Sequence, residues 1–382
     1  MSALQVLLLE HDDVEGLHPF TDTHCSWEIR AGLYTIVERW TVSLPEVTVS
    51  VVSHRDLYVR SFVERNPNTA PFASTPTLVM SGHVFVSPTV MRLLAETCVS
   101  GRDAFLIECG GQIVGAFIPQ ALSSPTDAID YLQAKERATL AIVEIAGHVV
   151  NRMWQVLDHV SEAIAWDASL VEQHISPKAN VHQTVILDRS SGPIIIDDNV
   201  SIDAYSVLKG PIAIGKGSSI KPHCSLNTVV LGPHSRVGGE IHSSVVQGWS
   251  NKQHDGFLGH SYVGEWVNLG AGTTTSNLKN DYGHVRVLMP WGEEDSQRMF
   301  LGLLIGDHSK TAIGTCFSTG TICGVSSNVV TQSFAPKSIA SFRWLDDVYL
   351  IEKALQVART AMARRAVVLG PDTEAILRYL AG

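Results

Sequence analysis

Two stretches of this chain bring together side chains and backbone that could do chemistry. The first is SNKQHDGFLG followed by VNLGAGTTTSN (residues 250–259 and 267–277), which carries His254, Phe257, Asn268, Ala271 and Asn277 among glycines. A histidine on a loop can accept a proton near neutral pH, so His254 is a candidate general base. The chain has sixteen histidines, so position rather than type singles it out; His242, His260 and His284 are not read as bases. The second stretch is EHDDVEGLHPFTDTHCSWEIRAG (residues 10–32), which follows the first apolar run and holds Pro19, Thr21, Arg30 and Gly32. Arg30 could grip a phosphate or could sit in a structural pair. The residue types alone leave both readings open.

The elements that must position these residues follow from a period of six. Ile196, Ile202, Leu208, Ile214, Ile220 and Leu226 recur at that spacing. Four residues after each stands a small or aliphatic residue: Val200, Ser206, Ile212, Ser218, Cys224 and Val230. Neither a helix nor an alternating sandwich has this period. It predicts a triangular β-coil with three short strands per turn, each pointing its aliphatic residue inward. The beat returns at Val263, Leu269 and Thr275, and again at Ile305, Thr311, Phe317, Cys323 and Val329. Ile175–Leu187 reads as the first coil, and 277–304 as an excursion rich in charge and turn residues.

Upstream, Leu4–Leu9, Val47–Val52 and Thr77–Met80 read as buried strands, with a helix around Gly32–Trp40. Phe105–Cys109 and Ile113–Ile118 flank Gly110-Gly111, a hairpin signal. Helical periodicity covers about 128–165. This order predicts an α/β domain, in which ligands gather at the carboxyl ends of strands. Asp346–Arg365 reads as an amphipathic helix, stopped at Gly370-Pro371-Asp372, with a short last helix beyond. These helices are expected to cap the open end of the coil, because exposed sheet edges invite aggregation.

Composition bounds the partners. A net charge of −10 over 382 residues leaves no basic excess for nucleic acid, although small anionic substrates need only a few local cations. The six cysteines (25, 98, 109, 224, 316 and 323) form no CxxC pair and read as reduced core thiols. The opening MSALQVLLLEHDD lacks a basic n-region, and its apolar run is too short for a signal or anchor, so no membrane association and a cytoplasmic location are expected.

The loop resembles that of sugar-phosphate nucleotidyltransferases. Their usual GxGTR turn and Pro-Lys are absent, and Cys25-Ser26 stands where Pro-Lys would be. A branch of the form PLTxTRPxxxIRxG fits better: Pro19, Thr21, Thr23, Glu28, Ile29, Arg30 and Gly32 line up, while His24 and Cys25 replace its Arg-Pro. The resemblance implies a nucleotide site at Pro19, Thr21, Arg30 and Gly32, with UTP as substrate and Mg2+ for nucleotidyl transfer if that activity is present. SGHVFVSP (residues 81–88) falls near a sugar- or metal-binding loop of the relatives but offers no DxD or GD pair, so no metal ligand is assigned.

The ordered set His254, Leu258-Gly259, Val267–Thr273 and Asn277 resembles the bifunctional N-acetylglucosamine-1-phosphate uridylyltransferase/glucosamine-1-phosphate acetyltransferase family, in its alternative bacterial branch. The likeness spans roughly residues 4–344. It implies a nucleotidyltransferase-like α/β domain at 1–170, a left-handed parallel β-helix of hexapeptide repeats at 171–345 and a C-terminal helical cap at 346–382. It implies His254 as the base in acetyl transfer from acetyl-CoA to an amino-sugar phosphate, with Asn268 holding the sugar. Ala271 and Asn277 would line the acetyl-CoA site. Lys221 and His242 fall at the family's phosphate-gripping cations, and Phe257 replaces its sugar-contacting tyrosine. Arg343 falls near the 3′-phosphate end of CoA, where a solvated surface arginine is the other reading. Enzymes of this kind are homotrimers with sites between subunits. Two alternatives stay open: only one activity is retained, or the coil is a non-catalytic oligomerisation or binding scaffold.

Overall fold

The computed structural model describes residues 4–382 apart from 12, 13, 102, 134–138, 332 and 345. The chain divides into two compact units. The first comprises Met1–Gly16, His24–Ile29 and Tyr34–Asn151, and the second Leu17–Thr23, Arg30–Leu33 and Arg152–Gly382. The expected boundaries at 170 and 345 both fall inside the second unit.

The first unit is built on the apolar runs. Strands β1 (Gln5–Leu9), β2 (Thr48–Val52), β3 (Thr77–Ser81), β5 (Phe105–Cys109), β6 (Gln112–Ile118) and β7 (Ala141–Glu144) form one sheet in the order β2-β1-β3-β6-β5-β7. Strands β4 (Val84–Phe85) and β8 (His148–Val149) pair apart from it. β1 runs parallel to both neighbours and is buried along its whole length, which is why Val6–Leu9 reads as an apolar run. β6 is antiparallel to β3 and to β5, and Gly110 and Gly111, at φ of 56° and 78°, close the tight hairpin between β5 and β6. Helix α1 (Ile36–Ser43) starts at Thr35, whose hydroxyl accepts from the Glu38 amide while the Glu38 carboxylate accepts from the Thr35 amide. Helices α2 (Asp56–Arg65) and α3 (Pro88–Ser100) follow β2 and β4. The helical reading of 128–165 holds only at its ends, and 134–138 lie outside the described residues. β7 and β8 lie between α4 (Asp127–Gln133) and α5 (Val160–Ala168), where sheet pairing overrides a helical pattern.

The second unit is a coil of stacked parallel strands with three faces. Ile194 lies opposite Ile212, eighteen residues or three hexads further on. That first face continues through Val229–Leu231, Ser244–Val246, Tyr262–Val263, Leu303–Ile305 and Thr321–Cys323. A second face stacks 180–181, 201–202, 219–220, 236–237 and 251–252, continues past Asn268, and resumes at 310–311 and 328–329. A third stacks 186–188, 207–209, 225–227, 240–242 and 257–259, then 274–275 on 316–317. All six aliphatics of the first hexad series lie in one buried cluster filling the bore. Ser206 and Ser218, inward at corners, donate to the carbonyls of Lys221 (3.0 Å) and Gly232 (3.1 Å).

One inward assignment slips. The corner from Asn227 to Val229 is one residue shorter than the corner from Lys209 to Ile212, with Thr228 at φ 55°. Val229 and Leu231 therefore enter the bore, and Val230 joins an outward row with Ala213, Val245, Tyr262 and Leu304. That row is buried as well, because α5 and the short helix Met153–His159 pack on the first face.

Helices α6 (Ile351–Ala363) and α7 (Pro371–Ala381) do not cap an end of the coil. They pack along its flank, burying Ala354, Leu355, Ala358 and Met362 with Trp266, Val325 and Phe342. Trp249, Trp266, His308, Ser326 and Phe342 share left-handed φ of 54–59° at one corner of successive turns. This repetition stacks the rings, with Trp249 and Trp266 centroids 4.9 Å apart, into an apolar ridge that the helices cover.

The bore gives the first test. Ile214 is fully buried in it. Ile214→Val should cost about 0.5–1.5 kcal/mol, whereas Ile214→Asp buries an unpaired carboxylate and should abolish the folded coil. Thermal unfolding followed by circular dichroism reads both; an Asp variant that melts like the wild type would remove the bore assignment.

Candidate functional site

Apart from Asn268, the motif residues cluster on the third face of the coil and the corner beside it. His254 is exposed at the corner between the second and third faces. One turn further, the Gly272 amide donates to the Asp255 carbonyl at 3.1 Å, which sets Ala271-Gly272 directly over the His254 loop. Lys221 stands at the same corner: a Cβ on Gly238 would lie 3.2 Å from its Cβ and 2.4 Å from the Gln253 carbonyl oxygen. Lys221 and His254 are thus two strand spacings apart, about 10 Å.

The His254 loop is tied from inside. Lys252 occupies a bore position in line with Ile220 and Val237. Its ammonium donates to the carbonyls of Gly238 (3.1 Å) and His254 (2.8 Å). Burial lowers its pKa to about 8 against the pull of Cys224 and Asp255. The sequence does announce this residue, as a lysine where the column calls for an aliphatic.

On the third face, His242 lies opposite Gly259 and Glu240 opposite Phe257. A Cβ on Gly259 would meet the Phe257 ring at 2.4 Å and the Asn277 amide at 2.6 Å, so glycine keeps a gap open between them. Asn277 Nδ2 lies 2.8 Å from His260 Nδ1. His260 stacks on Phe300 at 5.1 Å and meets His242 edge-on at 5.4 Å. Burial, reinforced by His242, lowers the His260 pKa to about 4, which leaves the ring neutral and Nδ1 an acceptor for the amide. The fold therefore brings His242, Phe257 and Asn277 together and adds His260. Asn268 projects from the second face, accepting from Asn251 Nδ2 at 3.3 Å. Arg343 lies in a later turn, with its amide donating to Ser327 Oγ (3.3 Å) and its guanidinium to the Asp346 carbonyl.

The four loop residues expected at the nucleotide belong to the segments grouped with the coil. Arg30 is buried; its Nε donates to the Gln247 carbonyl at 3.2 Å, and its guanidinium also reaches the Leu33 carbonyl. Its backbone amide donates to Tyr262 Oη at 3.1 Å, and that hydroxyl donates to Gln247 Oε1 at 2.6 Å. Gly32 faces α5, where a Cβ would fall 2.2 Å from Asp167 Oδ2. Pro19 and Phe20 pack with Met153, Tyr262 and Leu304, and Thr21 is buried.

In the first unit, the carboxyl ends of β1 and β2 carry a buried polar network. Glu10 accepts from the Ser26 amide (2.6 Å), Ser53 Oγ (3.0 Å) and Arg55 Nε (2.8 Å). Glu28 accepts from Arg65 (2.7 and 3.1 Å) and from the Cys25 amide (2.9 Å). Burial works to raise the Glu28 pKa, but Arg65 and His24 outweigh it and hold it at about 2. Each of these carboxylates is held by an arginine, so neither fits as a Mg2+ ligand.

Two tests follow from this geometry. Arg30→Ala strips charged donors from the buried Gln247 carbonyl and should lower the stability of the coil unit by about 1–3 kcal/mol, read as an earlier melting transition; an unchanged transition would mean the contacts carry no stability. His260 binds its proton only near pH 4 in the fold, whereas an unfolded histidine does so near 6.5. Stability that is full above pH 6.5 is therefore lost as pH falls toward 4. His260→Phe should flatten the melting temperature against pH in that window, and parallel slopes would contradict a neutral His260.

Parts of the chain are similar in sequence to known proteins. Residues 6–175 match the family described as sugar nucleotidyl transferase. A bifunctional sugar-1-phosphate nucleotidylyltransferase/acetyltransferase from Sulfurisphaera tokodaii is 30% identical over 204 residues, covering 52% of this chain and 48% of the relative. The bifunctional protein GlmU of Methanococcus aeolicus is 31% identical over 143 residues, covering 32% of this chain and 34% of that protein. Among solved structures, a hexapeptide transferase family protein from Anaplasma phagocytophilum covers 53% of this chain and 92% of its own at 15% identity, with a TM-score of 0.24. The chain thus spans about half the length of the first relative and a third of the second. The chain is thus similar at its N-terminal end to sugar nucleotidyl transferases, and over part of their length to bifunctional nucleotidylyltransferase/acetyltransferase proteins.

Proposed function

We propose that the chain is a bifunctional enzyme of amino-sugar nucleotide synthesis. The coil N-acetylates glucosamine-1-phosphate, or a related amino-sugar phosphate, from acetyl-CoA. The N-terminal region transfers uridylyl from UTP to the N-acetylated sugar phosphate. The observation that carries the reading is the stacking of Ala271-Gly272 over the exposed His254 loop, beside a third face bearing His242, Phe257 and Asn277.

In this reading His254 takes the proton from the sugar ammonium, and the freed amine nitrogen attacks the thioester carbonyl. A carbon–nitrogen bond forms, the carbon–sulfur bond breaks, and CoA leaves as the thiolate, which takes up a proton. Lys221 and His242 are the phosphate contacts, Asn268 holds the sugar, and Phe257 supplies an apolar wall without a hydroxyl. Ala271, Asn277 and Arg343 face acetyl-CoA. For nucleotidyl transfer, Pro19, Thr21, Arg30 and Gly32 remain the assigned nucleotide residues. Arg30 reaches a phosphate only by exchanging its contacts with Gln247 and Leu33. The coil is left-handed, the assembly is a homotrimer with acetyl-CoA between neighbouring coils, and the location is cytoplasmic. No helix among the described residues is long and apolar enough to cross a membrane.

The experiment is release of free CoA from acetyl-CoA and glucosamine-1-phosphate. His254→Ala should lower that rate by about 10²–10⁴ with the melting temperature unchanged, since the side chain is exposed. Full activity in the variant would dismiss His254 as the base. No release by the wild type would leave the non-catalytic scaffold reading.

A further inference from the structure

The second face of the coil holds a groove that reaches from Asn268 well beyond the motif residues. Between that face and α6 lies a groove of about 770 Å³, within the usual range for small-molecule sites. Five cations line it (Arg236, Lys310, Lys353, Arg364 and Arg365), and no acidic side chain does so among the described residues. This is unexpected in a chain with a net charge of −10.

Two of the five have structural duties. Arg365 donates to the His234 carbonyl (2.9 Å) and to Asn251 Oδ1 (2.7 Å), fastening the end of α6 to the coil. Lys310 donates to the His308 carbonyl at 2.6 Å, and burial lowers its pKa to about 8. Arg236, Lys353 and Arg364 are exposed, and no carboxylate among the described residues pairs with them. Burial, then Arg236 and Arg364, lower the Arg365 pKa, a sign that this positive field is not neutralised from within. Arg236 projects from the coil wall, while Lys353 and Arg364 sit about three helical turns apart on α6 and its C-cap. Trp249 and Trp266 line the groove and Trp344, 45% exposed, stands at it.

Cations on two opposed walls suit an extended anion with more than one phosphate. Exposed indole suits a flat ring at one end of such an anion. We propose that this groove binds a phosphorylated nucleoside, its phosphates between Arg236 and the α6 cations Lys353 and Arg364, its base on Trp344. Two sources share that chemistry: CoA, whose adenosine carries a diphosphate and a 3′-phosphate, and a uridine diphosphate sugar. The choice of these two rests on the proposed function. The groove itself does not.

Titration of the full chain with CoA, with UDP-N-acetylglucosamine and with pyrophosphate, read by tryptophan fluorescence and by calorimetry, separates the sources. At least one nucleotide should bind saturably and at least tenfold tighter than pyrophosphate. Its affinity should fall with added salt. Arg236→Ala combined with Arg364→Ala should weaken it at least tenfold at an unchanged melting temperature, and Trp344→Ala should weaken the nucleotide but not pyrophosphate. Tight CoA makes the groove part of the acetyl-donor site; tight UDP-sugar makes it a second nucleotide site. Absence of saturable nucleotide binding at millimolar concentration, equal affinity for pyrophosphate, or full affinity in the double variant would each overturn the proposal. Binding that persists in a chain releasing no CoA in the acetyl-transfer assay would overturn the proposed function while leaving the groove assigned.

Discussion

The structure of the second unit depends on one constraint: each turn of the coil must close around a narrow bore that takes only one or two inward side chains from each short strand. Burial of Ile196, Ile202, Leu208, Ile214, Ile220 and Leu226 in one cluster supplies the driving force, at roughly 1.5–3 kcal/mol per side chain. Parallel pairing between turns satisfies the backbone. The corners are where closure is hard. There the chain takes left-handed φ at residues such as His223, His234, Trp249 and Trp266, a conformation that carries a steric cost outside glycine. Stacking of the corner rings offsets part of it, as at His234 and Trp249, 4.1 Å apart.

A triangular coil has three outer faces, and this chain uses each differently. The first carries the row from Ala213 to Leu304 and is buried beneath α5 and the loop residues Pro19 and Phe20. The second supports α6 on its ridge and leaves the cationic groove beside it. The third remains open and presents His242, Phe257 and Asn277. Because spacing along a face is set by the strand separation, residues far apart in sequence are held at fixed distances without a dedicated scaffold. That is the physical advantage of such a coil for a site assembled from several turns.

Buried charges fix conformation at two places where apolar packing would not. In the first unit, Glu10 with Arg55 and Glu28 with Arg65 hold the loop after β1 down. Such pairs contribute little net stability once desolvation is counted, yet removing one partner is costly, so they specify one arrangement of the loop. In the coil, Lys252 does the same for the His254 corner: its ammonium bridges two carbonyls that no aliphatic could satisfy.

Periodicity made the coil legible, since an inward residue every sixth position has no other economical explanation, and the apolar run Val6–Leu9 marked a strand buried on both faces. The ordered motif marked the His254 corner and the third-face patch. Other features were decided only by the tertiary structure. The sequence pattern at Asn227–Val229 does not state that a corner is one residue short, so Val230 faces outward against the hexad count. The amphipathic stripe of α6 shows that it must bury one face but not against what, and the stacked tryptophans took it to the flank rather than the end. Arg30 reads as a phosphate ligand or a strut with equal ease, because a guanidinium offers the same donors to either. Its place among the carbonyls of Gln247 and Leu33 is set by residues more than two hundred positions away as much as by its own loop. Local spacing determines which way a side chain points along its own strand or helix; which surface it then meets depends on contacts between distant turns, and no local pattern encodes those.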